Sequence, residues 1–171
     1  NAGRGKFGRG GGWGDRGDAP PRRPPPQTAT RLDRAAWLAA RHSPLWLALP
    51  EADRDLLAGQ PLPHGAFFAA VERVLHDHGS IAMAALLDDI APDADMVDGL
   101  PALLQRIRAF HDVGDSAPEA AEEELAAVLR HLRLEAVNDE LKLILESGDL
   151  SPEALARTGE LLQLRNDLKA A

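Results

Sequence analysis

Leu32, Ala35, Ala36, Leu38, Ala39 and Ala40 recur with a helical period, and Thr30 with Asp33 three positions on has capping-box spacing. Ser43-Pro44 ends that helix and offers the cap and first position for a short apolar one, LWLAL. Pro50-Glu51 opens a third helix, EADRDLLA, which Gly59 closes. Beyond Pro61 and Pro63, the stripe Phe67, Phe68, Val71, Val74 and Leu75 predicts a longer helix that Gly79 stops. Ser80 is placed to cap IAMAALLDDI, with Ile81, Ala84, Ala85 and Leu87 mostly inward, and APDAD reads as a loop. Leu100, Leu103, Leu104, Ile107 and Phe110 mark another helix, which Pro101 starts rather than interrupts. Trp37 and Trp46 are expected in the core.

The C-terminal third changes character. HDVGDSA reads as a linker that is either a hinge or continuous with the long helix, and Ser116 lies at capping-box spacing before Glu119. One uninterrupted helical pattern then runs from Pro118 to Ser147, with Leu125, Val128, Leu129, Leu132, Val137, Leu141 and Ile144 as its core stripe. Leu134 and Leu145 fall off the centre of that stripe, at a wet edge or in a docking groove. After the break GDLS a second helix runs to the end, so the pair predicts an antiparallel hairpin. On the last helix, with Leu155 at zero, Leu162 lies at about 340°, and Leu161, Leu164 and Leu168 at about 240°, 180° and 220°. A hairpin partner can bury only one of these two apolar sides. The other is left for a further surface, either a binding partner or the compact part of the chain folding back over it. Burying two leucines contributes roughly 3–6 kcal/mol before association costs, which suits a reversible contact.

Composition supports an all-α fold: Ala, Leu, Glu, Asp and Arg dominate, while β-branched and aromatic residues are scarce. The expected architecture is a compact bundle of about six short helices over 30–115, then the hairpin over 116–171. Residues 1–29, GRGKFGRGGGWGDRGDAPPRRPPP at their centre, are too rich in Gly, Pro and Arg to build a core and read as a disordered linker. Net charge is −8, but residues 1–34 hold eight Arg or Lys against three Asp, and the remainder eleven basic against twenty-four acidic residues. The acidic body discourages phosphate contact and the basic tail tolerates it, with Phe7 and Trp13 available for stacking on single-stranded nucleic acid. A simple tether is the commoner use of such a tail. The absence of cysteine removes disulfides and thiolate zinc sites, and fits the cytoplasm. No stretch approaches 18 apolar residues, and Asn1 to Gly14 lacks the apolar core of a signal peptide.

Catalytic constellations are not found. Asp93, Asp95 and Asp98-Gly99 resemble a calcium loop, but the spacing is wrong and Leu104 stands where the bidentate glutamate belongs. Asp88-Asp89 sits at a helix C-terminus, a poor place for a working carboxylate pair. His76 and His78 diverge by about 200° on a helix and cannot chelate one metal by themselves. The tail glycines lack the flanking strand and helix of a phosphate loop. The chain therefore reads as a binding module, with no metal site and no cofactor.

A Gly/Pro/Arg linker leads into RLDRAAWLAARHSPLWLALP and LPHGAFFAAVERVLHDHGSIAMAALLDDI. The long helix with AVLRHLRLEAVNDELKLILESGDLS follows, then a leucine-rich end, LRNDLKAA. In helix order, helix lengths and hairpin ending, residues 30–171 resemble the C-terminal helicase-binding domain of bacterial replicative DNA primases. The resemblance implies a compact helical subdomain that modulates the helicase and a terminal hairpin that docks on the N-terminal collar of the hexameric replicative helicase. It implies that RNA polymerisation belongs to a catalytic core absent from this sequence. In some relatives the domain also binds the acidic tail of single-stranded DNA-binding protein. Carried over by position, Leu164, Asn166, Asp167 and Leu168 match the family's terminal pattern, with Asn166 at the amide implicated in helicase contact. Relatives often end in two lysines, where this chain ends Lys169-Ala170-Ala171. Arg34 stands where relatives use an arginine for the single-strand-binding protein tail. The partner-binding residues expected from pattern and resemblance together are Leu155, Leu162, Arg165, Asn166, Lys169 and Arg34, with no membrane contact and at most weak nucleic-acid binding.

Overall fold

The computed structural model describes residues 30–94, 96–110 and 117–170. The tail 1–29 and the expected hinge and cap over 111–116 lie outside the described residues. Among those described there are eight helices and no strand: α1 (Arg31–Arg41), α2 (Ser43–Ala48), α3 (Glu51–Ala58), α4 (His64–His78), α5 (Met83–Ala94), α6 (Leu100–Arg108), α7 (Pro118–Ser147) and α8 (Pro152–Ala170). The fold is an all-α bundle, as the composition predicts.

The main core forms where α1 packs on α4, α5, α6 and the first half of α7, and α4 packs on α3, α5 and α6. Trp46 is fully buried, its ring stacks on Phe68 at 5.7 Å, and its indole N–H donates to Glu72 Oε2 at 2.7 Å. That bond satisfies the polar end of a large apolar side chain. Trp37 is buried as well and stacks on Phe110 at 5.6 Å. The close turn from α3 into α4 depends on Gly65, where a Cβ would stand 2.1 Å from the Gln60 carbonyl oxygen and 2.6 Å from that of Ala58.

Thr30 caps α1 through the capping box with Asp33, in both directions. Asp33 does more than cap. It is buried, and its Oδ1 also receives His64 Nε2 at 3.0 Å and Arg106 at 3.0 Å, which ties the starts of α1 and α4 to α6. Burial by itself pushes the Asp33 carboxyl up. The bonds from the Thr30 amide, His64 and Arg106, with the arginine's charge, outweigh it and hold the group below its ordinary value.

Several local expectations are corrected. His42 precedes α2 and Ser43 is its first residue, with Pro44 second. Ser80 caps nothing: its hydroxyl meets that of Ser43 at 3.0 Å, and Ser43 also donates to the Ile81 carbonyl, so α5 begins only at Met83. The buried residues of α5 are Leu86, Leu87, Ile90 and Ala94, whereas Ala84 and Ala85 face solvent. The expected loop at APDAD is helical through Ala94 with Pro92 inside the last turn, and Asp93 pairs with Arg73 of α4. Pro92 there costs a single hydrogen bond near a helix end rather than mid-helix. The cap of α7 is Ala117, with Pro118 at the first position.

The largest correction concerns α7. With Ala121 at zero, Leu125, Val128, Leu129 and Leu132 lie at about 40°, 340°, 80° and 20°. Val137, Leu141 and Ile144 lie at about 160°, 200° and 140°. The expected single stripe is therefore two, on different sides of the helix. The first belongs to the main core, while Val137 and Leu141 form a separate small cluster with Leu161, packed by Ile144 and Leu168. Leu143, at about 40°, continues the first stripe beyond the bundle and is 67% exposed.

Candidate partner-docking surface

α8 packs on the second half of α7, joined to it through Gly148 in the left-handed conformation (φ 65°). Ser151 starts α8: its backbone N–H donates to Asp149 and its hydroxyl accepts from the Ala154 amide. The face turned to α7 carries Ala154, Thr158, Leu161, Arg165 and Leu168, of which Leu161 is fully buried and the others half-buried. On the Leu155 scale these centre near about 260°. Leu155, Leu162, Asn166 and Lys169, at about 0°, 340°, 20° and 320°, form a neighbouring stripe. All four are exposed, Leu155 by 57% and Leu162 by 38%.

The stripe has a definite side. Arg157, at about 200° on α8, donates to both oxygens of Glu140 on α7, at 2.7 and 3.0 Å. That hydrogen bond is the main cause of the lowered Glu140 carboxyl value, while the pair itself stays in solvent. Glu140 lies at about 100° on α7, so the pair marks one flank of the hairpin. In antiparallel helices seen down one axis, residue angles run in opposite senses. The other flank therefore joins Leu134 and Leu145 of α7, at about 220° and 240°, to Leu155 and Leu162 of α8. Leu134 is half-buried and Leu145 is 74% exposed. Leu164, expected beside Leu161, is 47% exposed and lies on the Arg157 flank, because the seam is centred past it.

The predicted site residues thus divide. Leu155, Leu162, Asn166 and Lys169 share one exposed surface. Arg165 belongs to the seam, and its Nε is buried without a hydrogen-bond partner. Arg34 lies in the main bundle, bound bidentately to Glu124 of α7 at 2.6 and 2.7 Å. Its guanidinium sits 4.5 Å from the Trp37 ring and 5.4 Å from that of Phe110. An acidic peptide tail would have to displace Glu124 to reach it. Counting leucines alone gives no sign of Thr158 in the seam, although the Ala154–Leu161–Leu168 spacing passes through it and through Arg165.

A cleft of about 250 Å³ opens between α2–α3 and α7, lined by Leu45, Leu49, Pro50, Leu125 and Leu129. Its polar edge is the buried Asp53, which accepts from Arg133 Nε at 3.0 Å. Sequence spacing gives no sign of it, because its walls lie about eighty positions apart. Among the described residues no group of three or more His, Asp or Glu is placed to hold a metal ion, and no helix is long and apolar enough to cross a membrane. No protein-family model matches the chain, and neither the curated proteins nor the solved structures contain a significant match.

Proposed function

We propose that this chain is the non-catalytic, helicase-binding part of a bacterial DNA primase, working in the cytoplasm to couple primer synthesis to DNA unwinding. The observation that carries the reading is the exposed leucine stripe of α8, Leu155 and Leu162, beside a seam already filled by Leu161. Apolar surface left in water on a two-helix arm favours a covering partner. The hairpin ending and the resemblance of residues 30–171 to primase C-terminal domains support the replicative helicase as that partner. Asn166 and Lys169 would add polar contacts at the rim of the same stripe.

The test is co-elution of the full chain with the hexameric replicative helicase of the same organism on a sizing column. The unaltered chain should shift to the helicase position. Leu162→Asp should weaken the complex strongly and Arg157→Ala hardly at all, since Arg157 lies on the opposite flank. Failure of the unaltered chain to co-elute at micromolar concentrations would remove the reading.

A further inference from the structure

Among the described residues, the open end of the hairpin, where α8 finishes alongside the middle of α7, gathers three cations that have no paired anion. Leu161 meets Val137 and Leu141, and Arg157 meets Glu140. One turn further along each helix, that register sets Arg165 level with Leu134, and a second turn sets Leu168 level with Arg130. Arg165 is half-buried in the seam with its Nε sealed from water and unbonded. Arg130, also half-buried, lies on the seam side of α7 at about 180°. Lys169 stands exposed at the rim. None of the three has a hydrogen bond or ion pair among the described residues. Leucine at the position of Arg165 would extend the seam. An arginine there instead leaves a donor unsatisfied and sets like charges near one another.

The carboxylates that border the leucine surface are engaged elsewhere. Glu135 contacts His131 at 3.0 Å, Glu146 contacts Lys142 at 3.8 Å, Asp149 accepts from the Ser151 amide, and Asp167 accepts from Gln163. A second copy of the hairpin would have to exchange these contacts to bring an anion to this surface. Nucleic acid fits poorly as well, because residues 117–170 hold twelve acidic and six basic side chains. Gly159 adds a geometric indication. It lies between Leu155 and Leu162 on the stripe, and a Cβ there would meet nothing within 4 Å. The free chain thus has no steric need of a glycine mid-helix, and the missing side chain leaves room there for a helix to approach.

We infer that the hairpin surface takes an acidic amphipathic helix of its partner. The helix covers Leu134, Leu145, Leu155 and Leu162 with aliphatic side chains and delivers a carboxylate to Arg165 at the open end. This rests on the partner-docking reading above and adds the chemistry of the partner and its orientation. Arg165 acts as the charge-assisted anchor, with Arg130 and Lys169 as supporting cations.

The experiment titrates the fluorescently labelled full chain with the hexameric replicative helicase at low and high salt. Arg165→Gln and Arg165→Glu should weaken binding about tenfold or more and flatten its salt dependence, whereas Arg157→Ala should leave it within about twofold. Arg165→Met provides the folding control: it should raise the melting temperature of the free chain while still weakening the complex. Equal affinity of the Arg165 variants, with the unaltered chain binding normally, would overturn the acidic-helix inference and spare the docking reading. No binding by the unaltered chain would overturn the docking reading itself. Self-association abolished by Leu162→Asp, or single-stranded oligonucleotide binding abolished by Arg165→Gln, would reassign the surface and overturn the inference.

Discussion

Asp33 shows how much one side chain organises. It closes the capping box on α1 and collects His64 and Arg106 from two other helices. Asp33→Asn should destabilise the chain at neutral pH by about 2–4 kcal/mol, measured by urea unfolding, because Arg106 loses a buried anionic partner. The folded value lies below the ordinary 3.8, so this contribution is full above that value and is lost as pH falls through and below it. The gap between the variant and the parent should therefore shrink on acidification; a constant gap would contradict the assignment. Gly65→Ala should cost about 2–4 kcal/mol in the same assay, since the new methyl meets the fixed Gln60 carbonyl rather than a side chain that can move. The capping box was legible because its partners lie three positions apart. The remaining ligands of Asp33, and the Glu124 clamp on Arg34, are separated by 31, 73 and 90 positions and leave no local pattern.

At the scale of elements, periodicity found every helix, because each carries apolar positions at helical spacing and half of them end at Gly or Pro. It misjudged what those stripes meet. The α7 stripe was read as one line, yet its two halves point about 140° apart. One half fills the bundle and the other pairs with α8. Seven leucines, valines and isoleucines spread over a 30-residue helix satisfy a loose helical period either way, and only the packed partners distinguish the two. The same blindness placed Ala84 and Ala85 inside and left out Leu86. On α8, Gly159→Ala should raise the stability of the free chain by about 0.5–1 kcal/mol, since the glycine is mid-helix and its surroundings are empty. A fall in the melting temperature would show that the backbone there needs the glycine.

The molecule as a whole is a broad helical core with a thin arm. The core buries some two dozen side chains, while the arm's own cluster fully buries Val137, Leu141 and Leu161 alone. So thin a cluster gives low local stability, and α8 amides should exchange with solvent faster than those of α1 and α4 in the free chain. The bundle and the hairpin were both legible as architecture. The exposed stripe of α8, Leu155 and Leu162, was legible in the leucine spacing; the α7 leucines that share its flank, Leu134 and Leu145, were not, since that depends on how α7 and α8 pack, which leaves no local pattern. On the proposed reading, the hexameric replicative helicase binds this open side. Amide hydrogen exchange of the full chain, with and without that helicase, tests it most directly. Docking there should bring new protection concentrated in residues 155–169, with a smaller gain over 134–145 and little change in α1 to α6. Protection confined to α1 to α6, with α8 exchanging as fast as in the free chain, would contradict it.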